Sequence, residues 1–466
     1  MKKIKRQNSL AKVALFSGAA ALMSLAPQIH AQSSVDALLN KLEQKGILTT
    51  EEANQLKTEN EQDSQADFNK ELNSKFPMPD WVTSYKLYGD FRGLYDERMT
   101  PNPAQSNNIR LRYRLRVGLE VNMKNDLQVG FRLGTADDPG ANPFGGIPIS
   151  DNTTLQGNAS KKFIYVDAAY GKWTPIHDDT WTLAATIGKM NNPFQFSPML
   201  FDGNYTPEGG ALQATYKIND WNSLTLNSAA FVLAYGNTTG VGSGNGSQNM
   251  SFLYGGQAIW KADWTKHISS SLGLSALNIV NRDLLTSDNV HPYNAGNTLD
   301  ANGVPFYNLN PVIVDASVTY MLDSFPFYHG KFPIKLDGEY MINPGAPGSG
   351  SVSADGVTPN GNQGYNFGVT FGHTTKKGTW DIGYRYQSLE ANAWYDQVVN
   401  VDNEVYNGGF PGATNVKGHL FTMGYMLEDN LDFMFLCYIN SMIGNTNPGG
   451  ASSATLHAMA GLMWNF

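Results

Sequence analysis

Between Asn108 and Glu120 the chain reads Asn-Ile-Arg-Leu-Arg-Tyr-Arg-Leu-Arg-Val-Gly-Leu-Glu, which puts arginine at 110, 112, 114 and 116 with apolar or aromatic residues between them. A guanidinium stays charged at any physiological pH, and its fixed fork of N–H donors suits carboxylates and other oxyanions. In an extended chain alternate residues share a face, so the four charges stand about 7 Å apart in one line. Such a line can steer anions through water, or it can bind carboxylates and stiffen a wall. The carboxylates with matching phase are Asp90, Glu120, Asp167, Asp337, Glu339 and Asp381. Arg92 and Arg132 widen the row into a basic patch, Lys335 and Arg385 are the other cations of that phase, and Thr370, Asn366 and Gln387 add neutral polarity. Four guanidinium groups need water or carboxylates around them, so the row implies a hydrated interior rather than a packed one.

The element that carries such a line must keep its other face in an apolar medium. An arginine at a bilayer midplane costs about 2 to 4 kcal/mol, so in a membrane barrel the odd positions 109 to 119 face lipid and the arginines face the lumen. Runs of ten to fifteen alternating residues recur sixteen times between Val82 and Phe466, each long enough to cross a bilayer as a tilted strand. The connections alternate in length: 124–125, 219–221, 375–377 and 428–430 are short, whereas 137–160, 281–310, 343–362 and 390–414 are long. That is the pattern of short periplasmic turns and long external loops. The expected fold is therefore all-β, a transmembrane antiparallel barrel of about sixteen strands over residues 81–466. A secreted β-sandwich or propeller is the alternative, and a sandwich rarely presents an outward apolar face recurring over so many runs.

The ends agree with this reading. Lys2, Lys3, Lys5 and Arg6 precede an apolar stretch from Val13 to Leu25 and then Ile29-His30-Ala31, the pattern of a signal peptide over residues 1–31. Residues 32–80 contain a helical stripe at Val35, Leu38, Leu39 and Leu42 and a Thr49/Glu52 capping box, which predict a short periplasmic helical segment and linker. A trimeric coiled coil is the other reading of that stretch. At the opposite end Leu456, Ala458, Ala460, Leu462, Trp464 and Phe466 share a face, as in a final barrel strand closing on an aromatic. An even strand number returns this strand to the side of the N-terminal segment.

Composition excludes several classes. Charged residues make up 16% of the chain and the net charge is −8, which argues against a nucleic-acid partner. The single Cys437 allows no internal disulfide, and no window supplies a helix of spanning length. Seven histidines remain after residue 31, scattered and without a nucleophile motif around any serine, so no enzyme and no cofactor is expected. His419 and His457 fall in strands and read as membrane-interface girdle residues. Asp137-Asp138 is a weak signal for a divalent cation bridging lipopolysaccharide.

The stretch from Gly188 to Gly209 is apolar for an external loop, with Phe194, Phe196, Met199, Leu200 and Phe201. It has to pack somewhere: inside the barrel, where it would narrow the lumen, or on a neighbouring subunit. Folded inward, it would bring Asp202 and Glu208 across from the arginine row and set up a transverse field at the narrowest point.

The strand Arg110 to Glu120, then Val129-Gly130-Phe131-Arg132-Leu133, Tyr165-Val166-Asp167-Ala168-Ala169-Tyr170, Gly188-Lys189-Met190-Asn191-Asn192-Pro193-Phe194 and Asp202 through Pro207-Glu208-Gly209 resemble the putative porin family of Gram-negative bacteria. The resemblance implies an outer-membrane porin: a water-filled channel for passive diffusion of small hydrophilic solutes and ions, embedded in outer-membrane lipid and lipopolysaccharide. Analogy with general sixteen-stranded porins adds a homotrimer, and the arginine row adds an anion preference. The competing function is an adhesin or structural barrel that acts through its long external loops.

Overall fold

Period-two alternation becomes sixteen antiparallel strands: β1 (Val82–Met99), β2 (Asn108–Met123), β3 (Leu127–Thr135), β4 (Ile164–His177), β5 (Trp181–Lys189), β6 (Glu208–Asn219), β7 (Asn222–Gly236) and β8 (Asn249–Thr265), followed by β9 (Ile268–Val280), β10 (Val312–Leu322), β11 (Phe332–Ile342), β12 (Gln363–Gly372), β13 (Trp380–Leu389), β14 (Val416–Glu428), β15 (Leu431–Met442) and β16 (Thr455–Asn465). The computed structural model describes residues 79–100, 107–137, 145–236, 249–290, 293–349, 361–407, 410–444 and 454–466. The chain divides into two compact units, 1–84 and 85–466. The first is described only from Pro79, so the helical segment expected between 32 and 80 lies outside the described residues but for its last two.

Each strand pairs with its neighbours in sequence, and β1 pairs with both β2 and β16, so the sheet closes on itself and leaves no edge. At the seam the Gly89 N–H donates to the Phe466 carbonyl at 2.7 Å, and the Phe466 N–H donates back to the Gly89 carbonyl at 3.0 Å. The Phe466 ring lies over Gly89, where a Cβ would come within 2.6 Å of Cζ and 2.3 Å of the Arg116 carbonyl oxygen, so only glycine fits. Tight hairpins need unusual backbone, and Asn125 and Asp126 supply it with φ of 63° and 57° between β2 and β3.

The alternation sorts the two faces. Ile109, Leu111, Leu115, Val117 and Leu119 are exposed on the outer surface, whereas Arg112 and Arg114 on the same strand are buried. Near the short turns, Trp181 packs on Tyr216 and Trp260 on Trp264, and the Trp380 indole N–H reaches the Phe327 carbonyl at 3.0 Å. Such amphipathic rings belong at the boundary between lipid and water.

The main apolar core sits inside the barrel rather than in its wall. Met199, Leu200, Phe201, Trp394, Tyr395, Val398 and Val399 come from two loops, and they meet Phe231, Leu253, Leu277, Ile313, Met341 and Leu389 from inward positions of β7 to β13. Two smaller pieces complete the fold: Thr153–Thr154, paired to β2 at Arg112 and Tyr113, and a hairpin of Val405–Asn407 with Phe410–Gly412.

Candidate functional site: the lumen and its crossing loop

The arginine row is answered by β1. Asp90 and Asp96 are six residues apart on one face of that strand, and each spans two arginines of the antiparallel row. Asp90 takes Arg114 Nε at 2.8 Å and Arg116 Nε at 2.7 Å, while Asp96 takes Arg110 Nη2 at 2.7 Å and Arg112 Nη1 at 3.1 Å. Arg132 is paired with Asp167, and Arg98 with Glu404. The loop before β4 then folds over the row: Asp151 lies 3.4 Å from Arg116 Nη1, Asn152 accepts from Arg92 Nη2 at 2.6 Å, and the Ser150 hydroxyl accepts from Arg112 at 3.4 Å. Asp137 receives the N–H and hydroxyl of Thr154, which fixes that loop. Asp137 is thus committed to the loop's fold, and Asp138 lies outside the described residues.

The hydrated interior expected from this row is therefore not what surrounds it. Arg112 and Arg114 are each 6% exposed, within a nearly neutral ionic network. The reason is long-range. Alternation within β2 reveals its face, whereas the covering carboxylates arrive from β1 and from a loop thirty-five residues on from Arg116. Asp96 shares the inward phase of Asp90 and Arg92 on β1, and that phase is the signal in the sequence that points to it.

Asp96 also faces His457, whose Nε2 is 3.1 Å from Oδ1. His457 Nδ1 lies 3.1 Å from the Asp402 carbonyl and 3.5 Å from the Glu404 carboxylate, and the ring is fully buried. His457 is an inward residue and not the girdle residue expected. His419 does lie on the outer face, with Nδ1 2.9 Å from the Tyr384 hydroxyl.

Loop 190–207 leaves β5 and crosses the lumen. Its Gln195 N–H donates to Gln257 Oε1 on β8, and the Gln257 amide donates back to the Gln195 carbonyl, both at 2.9 Å. Ser197 reaches Glu339 on β11 through its N–H (3.1 Å) and its hydroxyl (2.6 Å), and Asn366 on β12 donates to the same hydroxyl at 3.0 Å. On the return path Asn204 accepts from Arg114 on β2 at 3.1 Å. The loop is also stitched to the β13–β14 loop: Trp394 Nε1 donates to the Leu200 carbonyl at 3.0 Å, Asp202 N to the Val398 carbonyl at 2.8 Å, and Asn400 N to the Pro198 carbonyl at 3.2 Å.

Phe194 is 6% exposed, and Phe196 packs on Phe201 at 5.8 Å between ring centroids. Gly255 makes room for Phe194, since a Cβ there would lie 2.4 Å from the Phe194 Cζ atom. The two loop acids do not stand opposite the arginines as expected. Asp202 turns into its own loop, accepting the Asn204 N–H at 2.7 Å and the Val401 N–H at 3.3 Å. Burial, with the Asp402 charge adding to it, pushes its carboxyl up to about 7. Glu208 opens β6 and lies 3.3 Å from Lys189, two-thirds exposed.

The remaining cations separate. Arg385 is held by Asp337 at 2.5 Å and by Asn366, whereas Lys335 is half exposed and 4.0 Å from Asp337. Among the described residues no group of three or more His, Cys, Asp or Glu side chains is placed to hold a metal ion.

A closed sixteen-stranded wall, apolar outside and charged inside, defines a transmembrane β-barrel. Residues 99–305 match the model of a family described as putative porin, and the closed sixteen-stranded wall is the kind of architecture that family description calls for. No curated protein matches the chain. Among solved structures it is similar to Salmonella typhi OmpF in complex with daunomycin, at 13% identity over 82% of this chain and 98% of that one with a TM-score of 0.45. It is also similar to Pseudomonas putida OprB in its high-pH structure, at 13% identity, 86% and 96% coverage and TM-score 0.47. The outer-membrane channel DcaP of Acinetobacter baumannii gives 12%, 82% and 97%, with TM-score 0.43.

Proposed function

We propose that the barrel passes small hydrophilic solutes and ions by passive diffusion, and that loop 190–207 forms the narrowest part of the path. The observation that carries this reading is the loop's course: it is hydrogen-bonded to β8, β11, β12 and β2, so it divides the lumen instead of lying along one wall. Phe194 and Phe196 anchor it, and Asp202 and Glu208 shape its end. Arg92, Arg110, Arg112, Arg114, Arg116, Arg132, Lys335 and Arg385 belong to the lining in this reading, the arginines giving a modest anion preference because most of their charge is met by carboxylates.

Purified protein in planar bilayers is expected to give open channels, and absence of conductance would sink the reading. Replacing Arg112 and Arg114 together by Gln is expected to move the reversal potential in a salt gradient towards cations, because Asp90 and Asp96 are left in excess. An unchanged potential would remove the arginines from the selectivity argument. A homotrimer, a periplasmic segment over 32–80 and removal of residues 1–31 complete the proposal, with outer-membrane lipid and lipopolysaccharide around the wall. Cross-linking and N-terminal sequencing of the purified protein check these points.

A further inference from the structure

On the side of the barrel away from the arginine row, below the crossing loop and towards the short turns, lies a cavity of about 670 Å³. Its wall is a ladder of short hydroxyl side chains with three amines among them, Lys217, Lys261 and Lys335. The register places Lys261 on β8 directly opposite Ser271 on β9, Ser271 opposite Ser317 on β10, and Thr319 on β10 opposite Lys335 on β11. Neighbouring rungs touch, with Ser271 and Ser317 hydroxyls 2.8 Å apart. Gln195 of the crossing loop spends its backbone groups on Gln257 and leaves an exposed side chain at the roof.

Lys261 and Lys335 differ from every arginine of the row. Lys261 has no carboxylate within ion-pair distance among the described residues. Lys335 is 49% exposed; Asp337, at 4.0 Å, is already engaged by Arg385 at 2.5 Å, and Asp315 on β10 is near enough to feel its charge without pairing with it. The carboxylates of the cavity lie towards its mouth. Asp178 caps its own turn through the N–H groups of Thr180 and Trp181, Asp220 pairs with Lys217 at 3.0 Å, Asp179 stands at the turn level, and Asp263 is the next inward residue beyond Lys261 on β8, about 7 Å along the strand. Solvated charges there are screened over about 8 Å at physiological salt. β8 and β11 are three strand spacings apart, about 14 Å, a gap that two lysine side chains reaching inward can close around one small ion.

We propose that Lys261 and Lys335, with the hydroxyls of Ser271, Ser317 and Thr319 and the Gln195 amide, form a subsite for small oxyanions bearing carboxylate or phosphate groups. The chemistry fits: strongly hydrated point charges meet the net charge, while neutral hydroxyl and amide donors take the remaining acceptor lone pairs without holding the ion too tightly to leave. The site rests on the porin reading, since it stands on the path that reading assigns.

The test uses the full-length mature protein in planar bilayers at constant ionic strength, with chloride current titrated by inorganic phosphate and, in a parallel arm, by succinate. Wild type is expected to show saturable reduction of the current by at least one of the two, and the arm that acts first identifies the preferred group. In a Lys261→Gln/Lys335→Gln variant the concentration needed rises at least tenfold, whereas Lys377→Gln, at an exposed turn outside the cavity, keeps wild-type sensitivity. Both lysines are exposed, and unchanged heat-modifiable migration and unchanged liposome swelling in a neutral sugar confirm an intact barrel. Open channels insensitive to both anions, or a lysine variant as sensitive as wild type, overturn the site alone. No channel at all overturns the porin reading and the site with it.

Discussion

Two regions of one lumen carry basic residues in opposite states. On β1 to β4 the arginines are buried or half-buried, each anchored by a carboxylate or a loop amide, and they hold a wall and its covering loop together. On β8 to β11 the lysines stand in an open cavity among hydroxyls. Charge count would rank the arginine wall as the functional one, yet access to water ranks it second. A buried ion pair is a fixture whose partners suffer when separated, whereas a solvated amine is free to trade its water for a solute.

The largest expected effect comes from breaking the fixture. Asp96 is fully buried and serves Arg110, Arg112 and His457 together. Asp96→Ala leaves three cationic or polar partners without their acceptor, and loss of one member of a buried pair typically costs about 3 to 5 kcal/mol. The temperature at which the folded, fast-migrating band converts on a gel should fall clearly, while Lys335→Ala, by contrast, should leave it within the scatter of wild type because exposed substitutions shift stability by about 0.5 kcal/mol or less. Equal melting of the two variants would erase the distinction between the walls.

A smaller effect is expected where the crossing loop is pinned to the wall. Gly255→Leu places atoms where Phe194 Cζ and Leu277 Cδ2 now sit, at 2.4 and 2.7 Å from the added Cβ. Overpacking of this kind costs about 1 to 3 kcal/mol, and the loop is the partner able to move. Single-channel conductance should rise as Phe194 is expelled. Unaltered conductance in a protein of normal gel mobility would mean that the loop does not set the narrowest section.

Much of the architecture was legible because it follows from local rules. Strand number, outward face and the closing role of Phe466 are written in period two, and the inward crossing of 190–207 was signalled by Phe194, Met199, Leu200 and Phe201 in a stretch that should have been polar. The partnerships were not legible. Nothing near Arg116 announces Asp151, and nothing near His457 announces Glu404, because those contacts are made by long loops whose path depends on the closed barrel. Lys261 passed unnoticed for a related reason: its distinction is the absence of a carboxylate among residues that only the register brings beside it.

The finest test concerns the seam between the crossing loop and the β13–β14 loop. Asp202 links them, accepting the Asn204 amide of its own loop at 2.9 Å and the Val401 N–H of the other at 3.3 Å. Asp396, buried in the second loop, is pushed up to about 6 by burial, and Asp202 to about 7 by burial and then by Asp402. Both start from an ordinary value of 3.8, so the docked state favours the protonated acids. The sign follows from proton linkage: the stabilisation they give to docking is complete below pH 3.8 and is lost as pH rises through about 6 and then about 7. Conductance of the wild-type channel should therefore climb modestly between roughly pH 5 and pH 8 as the loops loosen. Asp202→Asn keeps the acceptor oxygen and removes the ionisation, so its curve should be flatter and lie near the low-pH level of wild type. A wild-type curve that falls with pH, or an Asn variant that climbs as steeply, would show that the seam is held by its apolar contacts and its neutral hydrogen bonds, and that ionisation of Asp202 does not contribute to its opening.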